Sequence, residues 1–248
     1  MDLHYQGKVV LITGALGGIG RGLVRRFQEE GAEVVAASSR PPNQAAEELA
    51  KAFPRPPRYV MCDYTKPETI PAAISSANPD IVVANAAVTT CHLVTEASLE
   101  DWNRLVAVNF TGNFLLGQSA ARHLAAKRAG AILFIGSLAQ CVPKPNTGAY
   151  GPTKAGMRML ALCLAKELAP LGVRVNILIP GVIDTGMAAR NMVLQPERRE
   201  WATQVTLCGH LGTAEEVADA AVFLCSSRAN FIYGAELLID GGAALGSF

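Results

Sequence analysis

Short runs of β-branched and aliphatic residues alternate with longer stretches of helical period along the whole of this 248-residue chain. Val9–Thr13 is the first run; Glu33–Ser38, Tyr59–Cys62, Ile81–Ala84, Ile132–Ile135, Val173–Ile179 and Glu236–Asp240 follow it. They lack polar/apolar alternation, which predicts strands covered by helices on both faces. Between them, Met157, Leu160, Ala161, Leu164, Ala165 and Leu168 recur at three- and four-residue steps, the apolar stripe of a helix. Leu99–Ala126 and Ala214–Cys225 read the same way, and a helix after the first strand runs to about Glu30, where Gly31 ends it. This alternation predicts an α/β fold, a doubly wound parallel sheet of about seven strands flanked by helices. No repeat or long linker divides the chain, and Phe53–Pro57 is a local loop, so residues 1–248 are expected to form a single domain.

Half of the residues are hydrophobic and 17% are charged, enough for an extensive core. A net charge of +1 gives no electrostatic basis for binding nucleic acid or an acidic membrane. The N-terminal stretch Met1–Lys8 lacks the basic start and apolar segment of a secretory signal, and the apolar runs fall short of the ~20 residues a bilayer demands. A soluble, cytoplasmic protein is expected. Cys62, Cys91, Cys141, Cys163, Cys208 and Cys225 are scattered without a Cys-x-x-Cys pair. Cys91-His92 and Cys208-Gly-His210 lack metal-ligand spacing, so small buried thiols in a reducing compartment are expected and no metal site.

Gly14, Gly17, Gly18 and Gly20 follow the first strand and open a helix, with Leu16 and Ile19 between them. Glycine lets the backbone turn sharply and approach a pyrophosphate, whose charge suits the amides of a helix N-terminus. The placement marks a Rossmann-type dinucleotide site, although adjacent Gly17 and Gly18 depart from the strict Gly-x-Gly-x-x-Gly spacing. A carboxylate at the end of the second strand would hold the ribose hydroxyls of NAD; here the chain reads Ala37-Ser38-Ser39-Arg40, with no acid. Two hydroxyls and a guanidinium suit a phosphate monoester, which favours NADP(H) while leaving NAD(H) possible. The other reading of Arg40 is an ordinary solvated loop residue ahead of Pro41-Pro42.

Tyr150 and Lys154 stand four residues apart, on one face of a predicted helix, and Ser137 lies thirteen residues upstream. A free phenol has a pKa of about 10, and a neighbouring ammonium stabilises phenolate, so Lys154 is expected to lower the Tyr150 pKa and fit it for acid–base work. Each residue has a bland reading: Ser137 as a strand-end cap, Tyr150 and Lys154 as surface helix residues. Pro152 fits the first turn of a helix.

With Thr13–Gly20, Cys62-Asp63, Asn85-Ala86, Val108-Asn109, Gly136-Ser137, Tyr150-x-x-x-Lys154, Pro180–Thr185 and Ile239–Gly242, the chain resembles the short-chain dehydrogenase/reductase family over its full length. The pattern is close to 3-oxoacyl-acyl-carrier-protein reductases of the small single-domain branch. The resemblance implies a tetrad of Asn109, Ser137, Tyr150 and Lys154, with Lys154 also on the nicotinamide ribose and Asn109 holding a water between Lys154 and solvent. It further implies that Asp63 and Tyr64 meet the adenine, Asn85-Ala86 pass the ribose, and Pro180, Gly181, Ile183 and Thr185 secure the nicotinamide. Three departures stand out: Ala87 replaces a usual glycine, the Asp63–Asn85 interval is short, and Leu171 stands where a basic residue for docking an acyl carrier protein is usual, although Arg128 matches another.

Gln140, Val142 and Asn146, between Ser137 and Tyr150, are expected to line the substrate pocket with Met187. A lid is expected around 186–209, carrying Met192, Val193, Leu194 and Trp201 as apolar cover and Arg190, Arg198 and Arg199 as solvated charges. The functional expectation is NADP(H)-dependent hydride transfer to or from a ketone or secondary alcohol, with a β-ketoacyl thioester as one substrate. The alternatives are NAD-dependent oxidation of a polyol, steroid or cyclic alcohol, and a non-catalytic cofactor-binding regulator. The resemblance also implies a homo-oligomer, a tetramer or dimer, through the long helices and the C-terminal strand.

Overall fold

The seven hydrophobic runs form one parallel sheet in the computed structural model, which describes residues 3–144, 146–186, 189 and 196–246. The strands are β1 (Val9–Thr13), β2 (Glu33–Ser38), β3 (Arg58–Met61), β4 (Ile81–Ala84), β5 (Gly130–Ile135), β6 (Val173–Pro180) and β7 (Glu236–Ile239), in the order β3-β2-β1-β4-β5-β6-β7. Every neighbouring pair is parallel; Val10 pairs with Val34 on one side and Ile81 on the other, and Ile135 pairs with Leu178.

Two cores explain the missing alternation. Successive strand residues face opposite sides of a sheet. Val10 and Ile12 join one core with Leu23, Val24 and Phe27 of α1 (Gly18–Glu29), while Leu11 joins the other with Leu116, Phe134 and Met157. A fully buried leucine such as Leu11 contributes enough that truncation to alanine costs about 2–5 kcal/mol. The two edge strands depart from the sequence expectation. β3 and β7 are largely exposed, with Leu237 and Leu238 open to solvent, because only strands inside the order are covered on both faces.

The other helices are α2 (Pro42–Ala52), α3 (Thr69–Ala77), α4 (Leu99–Leu105), α5 (Asn113–Lys127), α6 (Tyr150–Leu168), α7 (Pro196–Val205) and α8 (Ala214–Cys225). α3 is the short helix of the Asp63–Asn85 interval, nine residues closed by Asn78 at φ +48. A capping box between Thr213 and Glu216 starts α8, and Pro152 sits in the first turn of α6.

The stretch expected as one helix over Leu99–Ala126 is broken. α4, capped by Ser98 accepting from the Asp101 amide, gives way to a π-helical stretch at Val106–Gly112 before α5 begins. Its cause lies in the packing at Asn109. This side chain turns inward to the Val88 backbone, Asn113 Nδ2 donates to the Asn109 carbonyl at 2.8 Å, and Gly112 lies against the Tyr64 ring where a side chain has no room.

No described helix is long and apolar enough to cross a membrane, and no cluster of three His, Cys, Asp or Glu among the described residues could hold a metal ion. Only Cys62 and Cys225 are buried; Cys141, Cys163 and Cys208 are exposed, which corrects the expectation of uniformly buried thiols.

Candidate active site

The strand order reverses between β1 and β4, and ligands of open parallel sheets bind at such a point, beyond the strand C-termini. Here a cleft of about 1360 Å³ opens. Its floor is hung on one hydroxyl. Thr13 Oγ1, at the end of β1, accepts the amides of Asn85 (3.1 Å) and Ala86 (3.2 Å) after β4 and the Tyr64 hydroxyl (2.9 Å), and lies 3.3 Å from the Val83 carbonyl. Asn85 Nδ2 returns the tie, donating to the carbonyls of Thr13 and Gly14. Burial pushes the Tyr64 phenol well up, and the hydrogen bond with Thr13 pulls it back.

Gly14 has φ +65, and a Cβ there would lie 2.9 Å from Ala86 Cα, so the turn requires glycine. The helix α1 starts from Gly17 without a side-chain cap and with no acidic residue in its first turn. Its first amides therefore face the cleft without an internal anion.

At the far side of β1 the cleft takes in Ser38, Ser39, Arg40 and Asp63. The Ser38 hydroxyl is engaged, accepting the Arg40 amide at 3.2 Å and meeting Tyr59 Oη at 3.1 Å; Tyr59 also donates to the Arg40 carbonyl at 2.5 Å. Asp63 Oδ1 accepts from the Thr65 amide and hydroxyl. The end of β2 itself carries no acid, but α2 brings Glu48 into the cleft wall from another element, 2.9 Å from Arg40 Nε and 3.5 Å from Arg21 Nη2.

At the other side Ser137, Tyr150 and Lys154 meet. Ser137 follows β5 and caps a 3-10 turn in which its Oγ accepts from the Ala139 amide while Gln140 Oε1 accepts from the Ser137 amide. Tyr150 opens α6. Burial pushes its phenol up to about 12, and a hydrogen bond with Ser137 opposes that rise. Lys154, one turn on, is buried, donates from Nζ to the Ile135 carbonyl at 2.8 Å, and is pulled down to about 8 by burial. The sequence expectation that Lys154 lowers the Tyr150 pKa is not met in this state: Nζ lies 6.0 Å from the ring centroid, and desolvation dominates both groups.

The cleft wall thus contains Gly14, Leu16, Gly18, Ile19, Gly20, Asn85, Ala86, Pro180, Gly181, Ile183 and Thr185 as well as both ends. Asn109 stands outside that wall, fully buried: Oδ1 accepts from the Val88 amide at 2.9 Å, and Nδ2 donates to the Val88 carbonyl at 2.8 Å and to Thr153 Oγ1 at 3.3 Å. Val88 lines the cleft, so Asn109 fixes its wall from behind.

Gln140, Val142 and Asn146 also fall outside the wall; Gln140 is committed to the Ser137 backbone, and Asn146 turns the chain at φ +63. Met187 lies outside the described residues, as do Arg190, Met192, Val193 and Leu194 and the Arg198 side chain. Arg199 of α7 pairs with Asp184, and the Lys144 ammonium lies 5.4 Å from the Trp201 ring centroid. Both contacts tie α7 to loops beside the cleft.

Sequence reasoning missed Arg21, Glu48, Thr89 and Arg104 in the wall. Arg104 and Val108 share a helix-turn spacing that was available as a signal; Glu48 had none, since only the fold of α2 brings it to β2.

The family model described as enoyl-(acyl carrier protein) reductase matches residues 14–244. The 3-oxoacyl-acyl-carrier-protein reductase FabG of Aquifex aeolicus is 35% identical over 98% of this chain and 99% of its own length. The 3beta-hydroxysteroid dehydrogenase 1 of Eggerthella lenta is 34% identical over 97% of this chain and 95% of its own. Among solved structures, a gluconate 5-dehydrogenase from Burkholderia cenocepacia in complex with NADP and tartrate superposes with a TM-score of 0.90, at 29% identity, covering 99% of this chain and 98% of that one. The fold agrees with that neighbour over nearly its whole length, and the chain belongs to the short-chain dehydrogenase/reductase family of oxidoreductases.

Proposed function

We propose that the chain transfers a hydride between NADP(H) and a ketone or secondary alcohol, with Tyr150 as general acid and base. The observation that carries this reading is the convergence of Ser137, Tyr150 and Lys154 at one end of a cleft whose other parts suit a dinucleotide. The fit is physical: bare glycine backbone at Gly14, uncapped amides at the start of α1, and guanidiniums at the β2 end. When bound, the nicotinamide supplies or accepts the hydride. Asp63 and Tyr64 would hold the adenine side, Ser39 and Arg40 the 2′-phosphate, the α1 amides the pyrophosphate, and Pro180, Gly181, Ile183 and Thr185 the nicotinamide side.

Tyr150 keeps its proton across the neutral range, because its phenol titrates at about 12. It is therefore poised to donate that proton to a carbonyl oxygen, the role required for reduction. Ser137 Oγ accepts from the Ala139 amide and its hydroxyl hydrogen-bonds Tyr150; with substrate present that hydroxyl would turn to the same carbonyl oxygen and hold it in place. Lys154, fixed on the Ile135 carbonyl, positions the Tyr150 end of α6, and Asn109 positions Val88.

A second reading, oxidation of a polyol or steroid alcohol, draws on the two relatives named as gluconate and hydroxysteroid dehydrogenases. A carrier-bound β-ketoacyl thioester is the corresponding substrate class from the FabG relative. Exposed Phe110, Phe114, Met159 and Leu238 are the surfaces through which we expect a homo-oligomer in the cytoplasm.

The test is a rate panel: NADPH and NADH against ketones, including β-ketoacyl thioesters, and NADP+ and NAD+ against alcohols. NADPH-linked ketone reduction should be fastest. Turnover confined to NAD+ and alcohols would favour the second reading, and dinucleotide binding without any turnover would indicate a non-catalytic regulator.

A further inference from the structure

We infer that Glu48 sets how sharply this cleft separates a 2′-phosphorylated dinucleotide from its unphosphorylated counterpart, by occupying the guanidinium pair the phosphate needs. The inference rests on the dinucleotide reading above. Three elements supply the cluster: Arg21 from α1, Arg40 from the chain leaving β2, and Glu48 from α2. One carboxylate oxygen of Glu48 lies 2.9 Å from Arg40 Nε and the other 3.5 Å from Arg21 Nη2, so the carboxylate is shared between them. All three side chains line the cleft, and Glu48 is the least exposed, at 29% against 44% and 51% for the arginines.

The backbone under Arg40 is already fixed. Tyr59 donates to the Arg40 carbonyl, and the Arg40 amide donates to Ser38 Oγ. Ligand recognition at this end therefore consists of an exchange of side-chain partners, with the guanidiniums leaving Glu48 for an incoming anion.

Charge decides which ligand gains. Two guanidiniums and one carboxylate carry a formal net charge of about +1, and a phosphate monoester brings about −1.5 to −2 at neutral pH. With Glu48 present the filled cluster is negative; with glutamine in its place it is close to neutral. A ribose diol adds no charge, and a carboxylate accepts hydrogen bonds from its hydroxyls. Glu48 therefore disfavours the phosphate and favours the diol, which narrows the preference that Arg40 alone would impose. Exposed ion pairs of this kind each contribute a small factor, so the two together amount to about 3- to 20-fold in affinity.

The experiment is calorimetric titration of the full chain with adenosine 2′,5′-bisphosphate, 5′-AMP, NADP+ and NAD+, for the wild type, Glu48→Gln, Arg40→Gln and the double variant. Glu48→Gln should tighten both 2′-phosphorylated ligands about 3- to 20-fold while 5′-AMP and NAD+ stay level or weaken, and the gain should shrink in the Arg40→Gln background, where only the Arg21 pair is left to release. A phosphorylated-to-unphosphorylated ratio unchanged within about twofold, below what two released ion pairs supply, would overturn the inference and leave the dinucleotide reading standing. An equal gain without Arg40 would overturn it too, since the carboxylate would then act through its general field. Failure of the wild type to bind either dinucleotide would overturn both.

Discussion

Replacing Thr13 by valine preserves the shape of a fully buried side chain and deletes the oxygen that joins β1 to β4 at the floor of the cleft. Three donors lose their acceptor: the Asn85 and Ala86 amides at 3.1 and 3.2 Å and the Tyr64 hydroxyl at 2.9 Å. A buried donor left without a partner costs about 1–3 kcal/mol. The two amides sit at the cleft edge, where water can replace part of the loss, whereas the Tyr64 side chain is buried. The expected destabilisation is about 2–5 kcal/mol. Urea unfolding measures it, with an unchanged m-value showing that the two-state comparison holds. Dinucleotide affinity should fall in parallel, because Ala86 packs so closely on Gly14 that a shift of the β4 exit disturbs the phosphate turn. A loss under about 1 kcal/mol, with affinity intact, would refute the claim that this hydroxyl holds the floor.

Two further outcomes follow from buried groups. Burial pulls Lys154 down to about 8 in the folded chain from the ordinary 10.5, so below pH 8 the fold bears the cost of burying an ammonium; as pH rises from about 8 to 10.5 the unfolded chain holds the extra proton, and this group's contribution to stability rises. Tyr150, raised from 10.0 to about 12, acts oppositely and only above pH 10, where the unfolded chain ionises first. Burial raises the Cys62 and Cys225 thiols to about 12, so they oppose this rise above about pH 9 in wild type and variant alike. In urea unfolding, the stability of the wild type relative to Lys154→Met should therefore increase between pH 7 and 10; a difference that does not change with pH would contradict the Lys154 shift. Asn109→Ala releases Val88 from both of its side-chain bonds, so it should cost about 2–4 kcal/mol and lower kcat more than it weakens dinucleotide binding. Unfolding curves and steady-state kinetics on the same preparation check both, and wild-type kcat would remove Asn109 from the positioning of the wall.

What the sequence made legible is what short-range geometry controls. Val10, Leu11 and Ile12 announce a strand buried on both faces because each neighbouring residue enters a different core. Gly14 and the uncapped start of α1 are local backbone features, and the Tyr150–Lys154 spacing is a helix turn. The remainder depends on tertiary contacts. Asn109 reveals its partner only when the chain folds Val88 against it, and the same contact explains the π-helical break inside a stripe that reads as one helix. Glu48 reaches Arg40 from another element. Lys154 and Tyr150 were readable as a pair, but the direction of their pKa shifts follows from burial, which spacing does not express. Gln140 likewise reads as a pocket residue until its carbonyl oxygen is seen on the Ser137 amide.

The central claim is that Tyr150 passes the proton, and the most direct measurement is the single-turnover rate of Tyr150→Phe at saturating NADPH and ketone, beside its NADPH affinity. The account predicts a rate lower by about 10²–10⁴-fold, the usual worth of a positioned acid, with affinity close to that of the wild type. A phenylalanine variant that transfers hydride at nearly the wild-type rate would contradict it.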